Sequence, residues 1–234
     1  MVRRVTSAGV PVLCLDTCAL LDVMRDPMRE RFSADQTSAA LDLLGRAECS
    51  PRALSIIVAE QVHAELSQII QSIEQESAAA VRKIERALGI FGCHGLVANA
   101  AAVAAGILRF PVVSRGVVER FITASHIARP KRSLYGRAFN RISTNMRPAR
   151  RGKDSAGDCL IVETYLETAG MLRTSGFKGG ITFLTTNPAD YAESGRRSVL
   201  HSELTAGFAA VELDYHASFL AARYGLFPYQ QTAG

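Results

Sequence analysis

Short, largely apolar runs, each accompanied by a helical pattern, restrict what this chain can fold into more than any other feature. Val10 to Leu15, Leu54 to Val58 and Ile181 to Leu184 are predominantly apolar, interrupted only by Ser55 and Thr182, and Ala209 to Leu213 reads as a fourth strand despite Glu212. A strand that is apolar on both faces must be covered on both, which is the situation of a parallel sheet between helical layers. The intervening segments have the matching period. Val62, Leu66, Ile69, Ile73, Val81, Ile84 and Leu88 recur at helical spacing among Glu, Gln, Lys and Arg, as along one buried helix face. Leu96 to Ala128 reads as two helices broken near Pro111, Ser155 to Met171 as a helix opened by a Ser-x-x-Asp pattern, and Tyr215 to Tyr224 as a closing helix. Strands alternating with helices predict an α/β fold, a central parallel sheet covered on both faces. With 234 residues, no internal repeat and no long linker, the chain is expected to be a single domain over 1–234.

Hydrophobic residues at 48% and charged residues at 21% are the balance of a globular chain. The charge is uneven. Nine of the 27 basic residues and none of the 22 acidic ones lie between Arg129 and Lys153, so the rest of the chain, with 18 basic against 22 acidic residues, is net negative. Bracketed by Pro130 and Pro148, this segment has no clear period and reads as an exposed loop, and its local charge suggests a polyanion contact. Cys14, Cys18, Cys49, Cys93 and Cys159 form no C-x-x-C pair and no zinc-finger spacing, and they read as reduced core residues of a cytoplasmic protein. Arg3 and Arg4 precede an apolar run, but Asp16 interrupts it as no signal peptide allows. The Ala-rich stretch from Leu96 to Leu108 is too short to cross a bilayer and is expected to be a buried helix.

In open parallel sheets ligands bind beyond the carboxyl ends of the strands. Polar residues there carry most weight. Asp16 follows the first strand in VLCLDTCALLD, Glu65 lies one to two turns after the second in IIVAEQVHAEL, and Asn187 and Asp190 follow the third in ITFLTTNPADY. Asp154 and Asp158, four residues apart in KDSAGDCLI, share one face of the helix that precedes this strand. Each has a plain structural alternative: Asp16 as cap of the helix at Thr17, Asp158 as part of a capping box with Ser155, Glu65 as a solvated helix residue, Asn187 and Asp190 as turn formers around Pro188. Helix capping does not require four segments to meet at one sheet edge, and their joint placement favours a site. A crowded group of carboxylates ionises fully only beside a cation, and oxygen-only donors select Mg²⁺ or Mn²⁺ over zinc. Phosphodiester hydrolysis suits such a centre. A haloacid-dehalogenase-type phosphatase also starts from a strand and an Asp, but it needs a second Asp where Cys18 stands. The chain has no P-loop, no H-E-x-x-H and no G-x-S-x-G.

These segments resemble, in order, the motifs of PIN domains, metal-dependent ribonucleases that include toxins of bacterial toxin-antitoxin pairs. VLCLDTCALLD is similar to the opening motif, with Asp16 as first carboxylate and Thr17 beside it; in IIVAEQVHAEL the matching acid is Glu65 and not Glu60. KDSAGDCLIVETYL resembles the third motif through Asp158, with Asp154 as an additional acid, and FLTTNPADY the closing Thr-rich motif, with Thr186 in support. Asn187 stands where many relatives carry a fourth carboxylate, and Asp190 is the expected substitute. The resemblance implies a PIN-like three-layer α/β/α fold, with residues 70–150 as a helical and basic insertion. It further implies a Mg²⁺- or Mn²⁺-dependent endoribonuclease with Asp16, Glu65 and Asp158 catalytic and Asp16, Glu65, Asp154, Asp158, Asn187 and Asp190 around the metal. Arg129, Lys131, Arg132, Arg137, Arg141, Arg147, Arg150, Arg151 and Lys153 are then expected to hold the RNA backbone, with Tyr135 and Phe139 able to stack on bases. The partners to expect are RNA, an acidic antitoxin protein and a second copy of the chain, with no membrane. A catalytically weak PIN-like module that only binds RNA or protein is the competing reading.

Overall fold

The computed structural model describes residues 1–29 and 33–228. In chain order the elements are α1 (Val2–Ala8), β1 (Val12–Leu15), α2 (Thr17–Asp22), α3 (Ala34–Glu48), β2 (Ser55–Ala59), α4 (Glu60–Cys93), α5 (Ala100–Ile107), α6 (Phe110–Ala124) and β3 (Ser125–Ala128). There follow α7 (Arg132–Thr144), α8 (Ala156–Thr174), β4 (Ile181–Leu184), α9 (Pro188–Tyr191), β5 (Ala192–Glu193), β6 (Arg196–Leu200), α10 (Ser202–Ala210), β7 (Leu213–His216) and α11 (Phe219–Leu226).

The fold is α/β. Five parallel strands lie in the order β3-β2-β1-β4-β7, and β5 and β6 form a small antiparallel pair. Every residue of β1, β2 and β4 is buried, which explains why these strands are largely apolar in the sequence, with only Ser55 and Thr182 as buried polar residues. One helical group joins α3, α6 and α11, with Phe121 of α6 against Phe219 of α11 at 6.1 Å between ring centroids. The other centres on α8, which carries α1, α7 and α10 and sends Tyr165 onto Phe183 of β4, itself in contact with Tyr191 and Phe208. From β1 the chain builds outward to β2 and β3, then returns to the other side of β1 as β4. The reversal places the topological switch point between the carboxyl ends of β1 and β4, where α/β sheets bind ligands.

Several boundaries differ from the sequence reading. Ser125 to Ala128 is not the end of a helix but the edge strand β3, paired with β2 from Ile56↔Ser125 to Ala59↔Ala128. The basic segment is not an irregular loop: α7 buries Leu134 and Ala138, one turn apart, against α8, so two small apolar residues suffice to seat it. Residues 70–150 therefore contain a strand of the main sheet and a helix packed on α8, besides the distal part of α4 and α5. The last strand begins at Leu213, because α10 runs to Ala210 and Glu212 turns the chain at φ 48°. The closing helix starts at Phe219 behind Ser218, whose hydroxyl accepts the Ala221 N–H at 3.2 Å.

The Ala-rich stretch is not a buried helix either. No residue of α5 is buried, and Val103 and Leu108 stand exposed. By length and composition Ala100–Ala124 is apolar enough to cross a membrane, yet its second half is fixed in the domain by Phe121 and Val118, both buried in the main core. All five cysteines are free; Cys14 and Cys159 are buried as expected, whereas Cys49 and Cys93 are exposed.

Where the β1–β2 ladder stops, a side chain replaces a backbone bond. The Tyr165 hydroxyl accepts the Ala59 N–H at 3.0 Å and donates to the Leu15 carbonyl at 2.5 Å. Tyr165→Phe leaves both groups buried without a partner, at an expected cost of about 1–3 kcal/mol in urea unfolding. A loss below about 0.5 kcal/mol would show that the ladder end closes without the hydroxyl.

Candidate metal centre

Asp16 is the first residue beyond β1. Its N–H donates to the Leu184 carbonyl at 3.0 Å, which extends the β1–β4 ladder by one bond and fixes the residue at the switch point. The side chain is 1% exposed and caps α2: Oδ1 accepts the Thr17 N–H at 2.8 Å, and Oδ2 accepts the Thr185 hydroxyl at 2.6 Å from the end of β4. The capping reading of Asp16 is thus correct for one oxygen, while the other faces across the switch point. The Thr17 hydroxyl donates to Glu65 Oε2 at 2.5 Å, and Gln61 holds Glu65 Oε1 at 3.0 Å. Glu65 so comes from the second turn of α4 to the side of Asp16.

Asp158 comes from the first turn of α8, two turns above Tyr165 on the same face. Gly157 permits the approach, since a Cβ there would lie 2.1 Å from Glu65 Oε1. No capping box forms: the Ser155 hydroxyl makes no cap bond, and Asp158 Oδ2 instead accepts Lys153 Nζ at 2.8 Å. The capping carboxylate is Asp154, exposed and spent on the Ala156 N–H at 3.1 Å, away from the other acids' contacts. Asp190, 1% exposed, accepts Lys153 Nζ and Asn187 Nδ2 on Oδ2 and Arg150 at 3.3 Å on Oδ1. Asn187 is therefore a donor to Asp190, its own N–H bonded to Thr185 Oγ1 at 3.1 Å.

The electrostatics follow the burial. Desolvation pushes the Asp16 carboxyl up from 3.8 to about 7; Thr185 opposes the shift, the charges of Asp158 and Glu65 add to it, and the Thr17 N–H opposes it. Asp158 is also raised by burial, against the pull of Lys153. For Lys153 burial disfavours the charge, but hydrogen bonds and charges from Asp158 and Asp190 outweigh it and hold the ammonium protonated. The Cys18 thiol is raised by burial and by Asp16 and Asp158, which makes it a spectator rather than a nucleophile.

The structure adds residues that motif spacing did not single out. Thr185, not Thr186, supports Asp16. Tyr191, raised by burial and by the charges of Asp16 and Asp158, places its hydroxyl among the acids without a hydrogen-bond partner, and the hydroxyls of Thr186 and Ser155 are likewise buried and unpaired. A hollow of about 310 Å³ is lined by Thr186, Arg197, Tyr215 and His216, and one of about 400 Å³ by Arg150, Arg151, Lys153 and Ser155; none of Asp16, Glu65, Asp158 and Asp190 lines either.

The oxygen-only donor set fits a hard divalent cation. Among the described residues no three Asp, Glu, His or Cys side chains surround a common point, because the acids form two pairs, Asp16–Glu65 through Thr17 and Asp158–Asp190 through Lys153. Of the nine basic residues, most are already paired: Arg129 with Glu60, Lys131 with Glu167, Arg137 with Glu163 and Glu167, Arg141 with Glu163 at 2.6 Å. Arg147 and Arg150 reach the Ala189 carbonyl, and only Arg132 and Arg151 have no partner among the described residues. No family model, no curated protein and no solved structure matches this chain.

A raised carboxyl pKa has a definite sign in stability. Between about pH 4 and 7 folded Asp16 keeps a proton that the unfolded chain has released, so the ion-free protein loses stability as pH rises through that window. The loss is on the order of 4 kcal/mol at 1.36 kcal/mol per pKa unit. In EDTA, Asp16→Asn is expected to remove most of this slope and to be more stable than the wild type at pH 8. An unchanged slope in urea unfolding would show that Asp16 is not the titrating group.

Proposed function

We propose that the chain is a divalent-metal-dependent endoribonuclease whose centre is formed by Asp16, Glu65 and Asp158. What supports this reading is the pairing of Asp16 and Glu65 through Thr17 at the switch point, with Asp158 near enough for its charge to add to the raised pKa of Asp16, and with only neutral donors on Asp16 and Glu65 among the described residues. Thr185 and Thr17 orient the first two acids, and Tyr165 fixes the helix that brings the third. Bound Mg²⁺ or Mn²⁺ would supply charge neutralisation and Lewis-acid polarisation to a phosphodiester. Asp16 serves as a ligand once its proton has left. The choice of RNA rests on the motif resemblance and on the exposed Tyr135 and Phe139 of α7, 54% and 69% exposed and one turn apart, which suit stacking on unpaired bases.

The test is incubation of the purified protein with a mixed RNA pool in Mg²⁺, Mn²⁺ or EDTA. Cleavage in either metal and none in EDTA is expected, with Asp16→Asn and Asp158→Asn each reducing the rate by at least about 10²-fold. Metal-independent cleavage, or variants as fast as the wild type, would sink the reading. Binding without cleavage would instead favour a module that only holds RNA, a possibility supported by the neutralisation of Asp190 by Lys153 and Arg150.

The pairing of the basic residues changes which of them should hold the backbone. Within the basic segment Arg132 and Arg151 are the cations without a partner among the described residues, so replacing both with Ala is expected to flatten the salt dependence of single-stranded RNA binding by roughly 0.7 per lost contact. Arg137→Ala and Arg141→Ala should act mainly on stability, since they strip Glu163 of its partners. Filter binding at a series of salt concentrations separates the two. An unchanged slope in the Arg132/Arg151 double variant would place the RNA elsewhere.

A further inference from the structure

Apolar surface is concentrated in one part of the exterior. Seven of the fifteen large apolar side chains exposed among the described residues lie between positions 90 and 113, with Phe91, Leu96, Leu108 and Val112 among them. They belong to an arm made by the distal half of α4, all of α5 and the start of α6. The arm is a helical hairpin: α5 packs back on α4, where a Cβ at Gly92 would lie 2.7 Å from that of Ala100. Val81, Val118 and Phe121 are buried at its root. Apolar surface gathered in this way marks a contact with something other than water.

The charge on the arm selects among occupants. Over positions 78–114 the chain carries Arg82, Lys83, Arg86 and Arg109 against one acid, Glu85, and none of these four cations meets a carboxylate among the described residues. On α4 the order is regular. Arg82, Arg86 and Ile90 follow four residues apart on one face, and Lys83, Ala87 and Phe91 do so on the next, so cations stand one to two turns behind the apolar end. That spacing is roughly 6–12 Å along the helix axis, comparable with the roughly 5–10 Å by which amphipathic helices sink into a lipid interface. A second copy of the chain docked arm to arm would set four uncompensated cations against four others, which like-charge repulsion opposes.

We propose that this arm is a membrane-surface contact, with Ile90, Phe91 and Leu96 set into the interface of an anionic lipid layer and Arg82, Lys83, Arg86 and Arg109 on its phosphates. Val118 and Phe121 keep the second half of the apolar segment in the core, so the chain lies on the layer and does not cross it. An apolar hollow of about 590 Å³, walled by Val81, Ile84, Ile107, Phe110 and Val113, receives an acyl chain, and Arg109, also in its wall, meets the headgroup. The proposal is independent of the ribonuclease reading and adds a membrane where the sequence pointed to none.

The experiment is flotation of the intact chain with two kinds of vesicle, phosphatidylcholine alone and phosphatidylcholine with phosphatidylglycerol in equal parts, at low and high salt. Wild type is expected to float with the anionic vesicles and to do so more weakly at high salt. Arg82→Gln, Lys83→Gln and Arg86→Gln together are expected to lower the affinity roughly 10²-fold, about fivefold per cation, and Phe91→Ser with Leu96→Ser at least about tenfold. Arg132→Ala with Arg151→Ala, in the basic segment, is expected to float as the wild type does. No flotation of the wild type, equal flotation with both kinds of vesicle, an arm variant that floats undiminished, or loss of flotation in the Arg132/Arg151 variant each overturns the proposal. A wild type that stays off the vesicles and sediments as a dimer, split by Phe91→Ser with Leu96→Ser, overturns it in favour of a second copy. Should the serine pair fail to fold by circular dichroism, the exposed cation triple decides.

Discussion

Where two parallel strands end side by side, the last N–H and C=O of the ladder must find partners or be left buried and unpaired. At the ends of β1 and β2 both partners are the same atom, the hydroxyl of Tyr165, which takes the Ala59 N–H and gives its proton to the Leu15 carbonyl. The bond reaches from α8 across to the sheet, so it fixes the depth and rotation of that helix. Asp158 stands seven residues earlier, two turns up the same face, and its position over the end of β1 is therefore set by the packing of a phenol. Gly157 completes the fit, because any side chain there would displace Glu65.

Burying Asp16 under this helix is unfavourable for its charge, as its raised pKa records. Such a cost is tolerated at the end of a strand because the residue there also terminates the ladder and caps the next helix, roles that Asp16 fills with its own N–H and with Oδ1. A neutral cap such as Ser would do both without the electrostatic penalty. The charge of Asp16 is thus more than the ladder end and the helix cap require.

Much of this was legible in the sequence. The strands buried on both faces, β1, β2 and β4, announced themselves as largely apolar runs, and the acids beyond them could be placed on one sheet edge from topology alone. What escaped was decided by contacts between distant segments. β3 reads Ser-His-Ile-Ala, with neither alternation nor a continuous apolar run, and becomes a strand only because the edge of β2 is there to pair with it. α7 carries two buried residues and many charges, so its period is invisible until Glu163 and Glu167 of α8 are known to face it. Thr185 and Thr186 are indistinguishable in a Thr-Thr pair; their opposite fates, one on Asp16 and one without a partner, follow from the alternation of side chains at the end of β4.

The basic segment shows why counting charges along a chain overstates the field they produce. Nine cations without an intervening acid suggest a strong positive patch, but the acids that answer them lie elsewhere in the sequence and next to them in space. Arg141 and Glu163, 12% and 7% exposed, are a buried pair that tie α7 to α8, and replacing either alone would strand the other's charge. Lys153 is neutralised by the centre itself. Among the described residues Arg132 and Arg151, towards the two ends of the segment, are the cations of this segment without a partner, with the exposed rings of Tyr135 and Phe139 near the first and the hollow beside Lys153 near the second. For the proposed RNA ligand, two unpaired cations and two exposed rings imply an affinity that depends on salt more weakly than nine cations would.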